Sequence, residues 1–136
     1  MPVDGRQEAD ELRPLLLSGR DAFAGAPWFD AHTHIANLAA AKRALESGVT
    51  TARSSGASYF VDVSLRDLAK SGAIAGPDIL ASGYHVRDHL AEEAFYSDPS
   101  LSDLMGGVKT IPDILRVVKM NLAHGVDWIK INATER

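Results

Sequence analysis

Two histidines one residue apart, His32 and His34, are the first feature of this chain that could do chemistry. Side chains alternate faces along an extended segment, so both imidazoles would point the same way. Two imidazoles on one face can share a metal ion, each nitrogen about 2.0–2.1 Å from it. Asp30, two positions before His32, would lie on that face and could orient a ligand. The competing reading is a hydrogen-bonded histidine pair at a strand end, with Asp30 as a polar group at the strand start.

Lys130 is the second candidate. It stands between Ile129 and Ile131, so an apolar, buried setting is expected. A buried ammonium is disfavoured and tends to lose its proton. The neutral amine can then take up carbon dioxide, giving a carbamate anion able to bridge two divalent metals. The alternative is a strand-end lysine whose flexible stem reaches solvent. His85 and His89 fall in a long loop that could present them to a site, although an exposed loop histidine is more often unremarkable. His124 falls at a helix C-terminus, where it complements the dipole and reads as structural.

These residues need elements to hold them. Pro27-Trp28-Phe29-Asp30-Ala31-His32-Thr33-His34-Ile35 is strand-like, and Asn37 to Ser47 is an alanine-rich helix stopped by Gly48. Val49-Thr50-Thr51-Ala52 is a second strand and Val61 to Lys70 a second helix, stopped by Gly72. Gly76-Pro77 turns the chain into a third strand, Asp78 to Ser82. Gly83 to Gly107 is a long irregular stretch with a short helix around Ala91 to Phe95. Thr110 caps a third long helix running to Ala123, with Ile111, Ile114, Leu115, Val118 and Leu122 on one face. Gly125 stops it, and Val126 to Ile131 is a fourth strand.

Residues 1–26 read as a lead-in, with a broken helix over Glu8 to Ser18. Residues 27–136 form the domain. A weak repeat aligns Leu45 to Arg53 with Leu122 to Lys130: helix end, glycine stop, strand and terminal basic residue. Strands alternating with helices indicate a parallel α/β sheet, either a barrel or a doubly wound fold. Neither Gly-x-Gly-x-x-Gly nor a Walker-type lysine loop occurs, so phosphate-cradling signals are missing.

Composition narrows the class further. The 136 residues carry 14 Lys+Arg against 18 Asp+Glu, a net charge of -4, which argues against a sequence-independent nucleic-acid binder. With no cysteine there is no disulfide framework, thiolate zinc site or cysteine nucleophile. No apolar run reaches the roughly 18 residues of a membrane span, and Met1 to Asp10 lacks a signal-peptide profile. A soluble, cytoplasmic protein without nucleic-acid or membrane partners is expected.

Four segments together resemble the amidohydrolase superfamily, specifically its imidazolonepropionase-like and prolidase-like branch. Phe29-Asp30-Ala31-His32-Thr33-His34 is similar to its first-strand His-x-His segment. Ala44-Leu45-Glu46-Ser47-Gly48-Val49-Thr50-Thr51-Ala52-Arg53 resembles its second helix-to-strand unit. Gly76-Pro77-Asp78-Ile79-Leu80-Ala81-Ser82-Gly83 resembles its third strand, and Gly125-Val126-Asp127-Trp128-Ile129-Lys130-Ile131 its fourth. Departures are Ser54, where the family carries Asp after the arginine, and Ala26 to Asp30 in place of its usual approach to the histidines.

The resemblance implies a metal-dependent hydrolase of carbon–nitrogen bonds on a (β/α)8 TIM barrel. This length is well short of the roughly 250 residues of such a barrel. The expected fold is therefore α/β, a partial barrel of about four βα units, the N-terminal half. His32 and His34 would be metal ligands, and Lys130 the carboxylated lysine bridging two ions, most often zinc. The later metal histidines and the acidic base would lie beyond Arg136. Expected partners are a small amide or peptide-like substrate, and either a second copy or a complementary C-terminal half. By itself the chain is expected to be inactive. The alternative is a non-catalytic half-barrel serving in binding or assembly, with its metal motif a relic.

Overall fold

The computed structural model describes residues 27–133; the lead-in helix expected over Glu8 to Ser18 lies outside them. Three short strands, β1 (Trp28–Thr33), β2 (Val49–Ser54) and β3 (Asp78–Leu80), form a parallel sheet in the order β1-β2-β3. Parallel neighbours need a crossover, and here each crossover contains a helix: α1 (Leu38–Glu46) and α2 (Val61–Lys70). The sheet is thus α/β with strands in sequential order.

Local chemistry explains the boundaries. Asn37 caps α1, its Oδ1 accepting from the Ala40 amide at 2.8 Å. Gly48 ends that helix at φ 92°, and Gly125 occupies the equivalent place in the repeat at φ 74°. Both need the left-handed region open to glycine. The long stretch after β3 folds into α3 (Glu93–Ser97) and a 3-10 segment (Pro99–Gly106) before α4 (Ile111–Ala123). Thr110 caps α4 through a capping box with Asp113.

Packing divides into two groups. Ile35, Ala41, Ala52, Leu65 and Ile79 close the space between the sheet and helices α1 and α2. Phe60, Val63, Tyr84, Val86, Leu101, Leu104, Val117 and Met120 form the larger cluster, beyond β3. Asp62, fully buried, joins the two regions. Its carboxylate accepts from the amides of Val63, Ser82 and Gly83, clipping the start of α2 to the exit of β3. Tyr59 and Phe60, just before α2, both have positive φ (55° and 53°). Their strain is held by a hydrogen bond from the Tyr59 amide to the Tyr84 hydroxyl (2.8 Å) and by Phe60 stacking on His124.

Two sequence expectations need correction. The fourth strand, Val126 to Ile131, does not form a ladder; the segment meets the sheet region through a single parallel bridge, Val86 with Ile131. Its first residues are tied differently: the Asp127 and Trp128 amides both donate to the Ala81 carbonyl, at 2.8 and 3.3 Å. Two donors on one acceptor cannot continue a ladder. The second correction is the buried face of α4, which carries Val117, Met120 and Asn121. Ile111, Ile114, Leu115 and Leu122 are exposed and Val118 is half-buried. Asn121 sits inside because its amide group satisfies both backbone groups of Tyr84, donating to its carbonyl and accepting from its N–H at 2.9 Å each.

Candidate metal centre

His32, His34 and Lys130 gather at one end of the sheet. His32 is near the C-terminal end of β1 and His34 just past it; Ser55 follows β2, and His85 lies a few residues beyond β3. The Val86–Ile131 bridge brings Lys130 and Asn132 alongside, with the Val86 amide donating to the Lys130 carbonyl at 2.8 Å. His32, His34, Ser55, His85, Lys130 and Asn132 all line one cavity of about 610 Å³. Parallel α/β sheets place their sites at this end, where loops converge on free strand termini.

The two motif histidines come together as expected. Their ring centroids are 5.7 Å apart, edge to face. His34 Nδ1–H donates to the Gly56 carbonyl at 3.0 Å. A carbonyl only accepts, so the proton sits on Nδ1 and the Nε2 lone pair is free for a ligand. Partial desolvation comes first, and with the nearby Lys130, His34 and Arg53 it holds the His32 imidazole below its usual range; Asp30 opposes them. A neutral imidazole is the form that binds a metal. Asp30 does orient His32, but through the backbone: its Oδ1 accepts from the His32 amide at 3.0 Å.

Lys130 reaches the cavity in a different setting from the one expected. It is half-buried, and Ile131 beside it is 61% exposed, so the apolar sandwich around the amine does not form. Two linkages steady its segment. Arg66 Nη1 donates to Asp127 Oδ2 at 2.8 Å and to the Gly125 carbonyl at 2.7 Å. Arg53 stands 4.8 Å over the Trp128 ring.

His85, whose role the sequence leaves open, lines the same cavity. Its ring centroid is 6.1 Å from that of His34, and its Nε2–H donates to the Ser55 carbonyl. The sequence did hold a signal for it: it follows a strand's C-terminal end, as His34 does. His89, in contrast, is exposed and pairs with Asp88 (2.9 Å). His124 caps α4 with Nδ1–H donating to the Met120 carbonyl, in keeping with its structural reading. Ser54 is fully buried. Its hydroxyl finds no hydrogen-bond partner among the described residues.

The donor set suits part of a metal centre. Two imidazoles and the Lys130 amine line one cavity, and one imidazole is already oriented by a carbonyl. Among the described residues, no three His, Cys, Asp or Glu side chains converge on one ion position. His85 does not complete such a set, because its Nε2 is turned to Ser55 and its Nδ1 to Asn132.

No protein-family model matches the chain, and no curated protein matches it. Solved structures do. A candidate prolidase from Bifidobacterium longum is 34% identical, with a TM-score of 0.60, over 81% of this chain and 27% of its own. A Xaa-Pro dipeptidase with methionine bound in its active site is 24% identical, with a TM-score of 0.59, over 79% and 33%. The chain therefore spans about a quarter to a third of the length of the solved structures it matches. Its fold is shared with a region of prolidase-type structures, and this likeness agrees with a hydrolase.

Proposed function

We propose that this chain provides the metal-holding N-terminal part of a hydrolase that cleaves carbon–nitrogen bonds in a dipeptide, N-acyl amino acid or cyclic amide. The observation that carries the reading is the single cavity gathering His32, His34 and Lys130 at the C-terminal end of parallel strands. The sequential order β1-β2-β3, with the Lys130 segment next in line, supports a partial (β/α)8 barrel of about four βα units. A doubly wound sheet reverses its order at a switch point, and no reversal occurs among the described strands.

His32 and His34 would hold a divalent ion, zinc by preference, through imidazole nitrogens. Lys130, once its ammonium has lost a proton and the amine has added carbon dioxide and released a second proton to solvent, would contribute carbamate oxygens. When bound, the metal supplies Lewis acidity at the scissile carbonyl and at the attacking water. Gly56 keeps the His34 ring turned so that Nε2 faces away from the backbone, and Asp30 fixes the backbone at His32. Arg66 and Asp127 hold the segment that carries Lys130. Two imidazoles and one lysine leave a catalytic zinc short of its usual three protein ligands unless the lysine is carboxylated. Further ligands and the proton acceptor would come from the rest of the barrel.

The same incompleteness bears on partners. β1 borders the sheet with Trp28 61% and Phe29 54% exposed, and Ile131 is 61% exposed on the opposite side. Such an edge invites another chain, either a second copy or a complementary C-terminal half.

The reading is tested by combining this chain with the remaining portion of the Bifidobacterium longum protein and assaying dipeptides, N-acyl amino acids and lactams with added zinc. Zinc-dependent turnover that is lost in His32→Ala is the expected result. A zinc-loaded complex without turnover, or turnover indifferent to His32→Ala, would overturn it.

A further inference from the structure

Consecutive backbone carbonyls, those of Ser55 and Gly56, each receive one imidazole N–H of the cavity. His34 donates from Nδ1 to Gly56, and His85 donates from Nε2 to Ser55. Because carbonyls accept only, the two rings are fixed in opposite tautomers. His34 keeps its lone pair on Nε2. His85 keeps its own on Nδ1, towards Asn132, whose Nδ2 lies 3.4 Å away.

The turn that presents these carbonyls is itself tied down. The Ser55 amide donates to the Thr33 carbonyl at 2.7 Å, joining the end of β2 to the end of β1. Ser55 is fully buried. Gly56 stands at φ 131°, a conformation that side-chain-bearing residues rarely adopt. A Cβ there would run into the His85 ring, 2.5 Å from Cδ2 and 2.9 Å from Cε1. The ring that donates to one carbonyl therefore occupies the space a side chain on the next residue would need.

We infer that Ser55-Gly56 is a two-carbonyl brace, with Gly56 as a positioning residue, that makes His85 a fourth member of the site alongside His32, His34 and Lys130. His34 is turned to give a metal its Nε2. His85 Nδ1 accepts from Asn132 Nδ2 and so steadies the Asn132 carboxamide, whose second N–H and Oδ1 could meet a substrate. A ligand carrying adjacent N–H and C=O groups, as an amide does, matches that pair. The role given to His34 rests on the metal reading proposed above; the tautomers do not.

The test uses the full chain. Long-range ¹⁵N–¹H correlation of the metal-free protein should show His34 protonated on Nδ1 and His85 on Nε2. Zinc affinity, measured by competition with a chromophoric chelator, should fall about 10–100-fold in Gly56→Ala, the usual effect of losing an orienting partner. The double variant Gly56→Ala/His85→Ala removes the clash but keeps the backbone strain at φ 131°, so it should regain part of that loss and recover the His34 tautomer. This rescue separates displacement of the ring from simple misfolding, which truncating His85 would not repair. Opposite tautomers in a chain that binds no zinc would support the brace and defeat the metal reading. His34 protonated on Nε2, or a Gly56→Ala variant whose imidazole signals and zinc affinity are unchanged, would overturn the brace.

Discussion

Asp127→Ala should detach the segment that carries Lys130, and the structure gives the size of the effect. Asp127 Oδ2 accepts from Arg66 Nη1 and from the Ala81 amide, both at 2.8 Å. Ala81 is fully buried, so its amide loses a side-chain acceptor that water cannot easily replace, at a cost of about 1–3 kcal/mol. The Arg66 bond adds the lower end of the charged hydrogen-bond range, because 29% of the Asp127 side chain is exposed and Arg66 keeps Asp67 and the Gly125 carbonyl. The two losses together come to about 3 kcal/mol, or a fall in Tm of roughly 10–15 °C for a domain of this size.

The same pair has a pH signature. Desolvation tends to raise the Asp127 pKa, but the hydrogen bonds from Arg66 and the Ala81 amide outweigh it and hold the carboxyl below its usual range. A depressed folded pKa contributes stability above the unfolded value and loses it as pH falls through the folded one. Thermal unfolding followed by circular dichroism should therefore show a wide gap between wild type and Asp127→Ala at pH 7. The gap should narrow as pH drops below about 4. Asp67→Ala, which removes the exposed partner of Arg66, should change little. A loss below about 1 kcal/mol for Asp127→Ala, or a gap that stays constant down to pH 3, would refute this account of the clamp.

Three further outcomes follow from the same geometry. Thr110→Ala removes the capping box of α4 and should cost about 1 kcal/mol in thermal unfolding, while Thr110→Ser should restore it. The chain with added zinc should hydrolyse no member of a panel of dipeptides, N-acyl amino acids and lactams; robust turnover abolished by Lys130→Ala would show a site complete in these residues. Sedimentation at micromolar concentration should show self-association through the exposed β1 edge and Ile131, and a stable monomer would count against it.

Periodicity and stop residues made much of the scaffold legible. Asn37, Gly48, Gly72 and Thr110 mark helix ends in the sequence and do so in the structure. What was not legible came from polar groups acting at long range. Asn121 breaks the apolar pattern of α4, yet it is buried because it satisfies both backbone groups of Tyr84, 37 residues away. That one contact turns the helix so that Val117 and Met120 face inward and Ile111 and Leu122 outward. The run from Val126 to Ile131 reads as a strand, but Asp127 pins it to Ala81 and leaves only one bridge.

For the site, the His32–His34 spacing signalled a shared face, and the rings do meet. Lys130 reaches their cavity without the burial expected from its two isoleucine neighbours. A loop histidine such as His85 has no periodicity to give it a direction. Only the fold reveals that Ser55 supplies its acceptor from 30 residues earlier.

The central claim is that His32, His34 and Lys130 act together on one metal ion. Equilibrium zinc titration of the purified chain, beside His32→Ala, His34→Ala and Lys130→Ala, tests it most directly. Weak but saturable binding is expected for the wild type, abolished by either histidine substitution and reduced by the lysine substitution. Absence of binding by the wild type, or equal binding by the histidine variants, would contradict it.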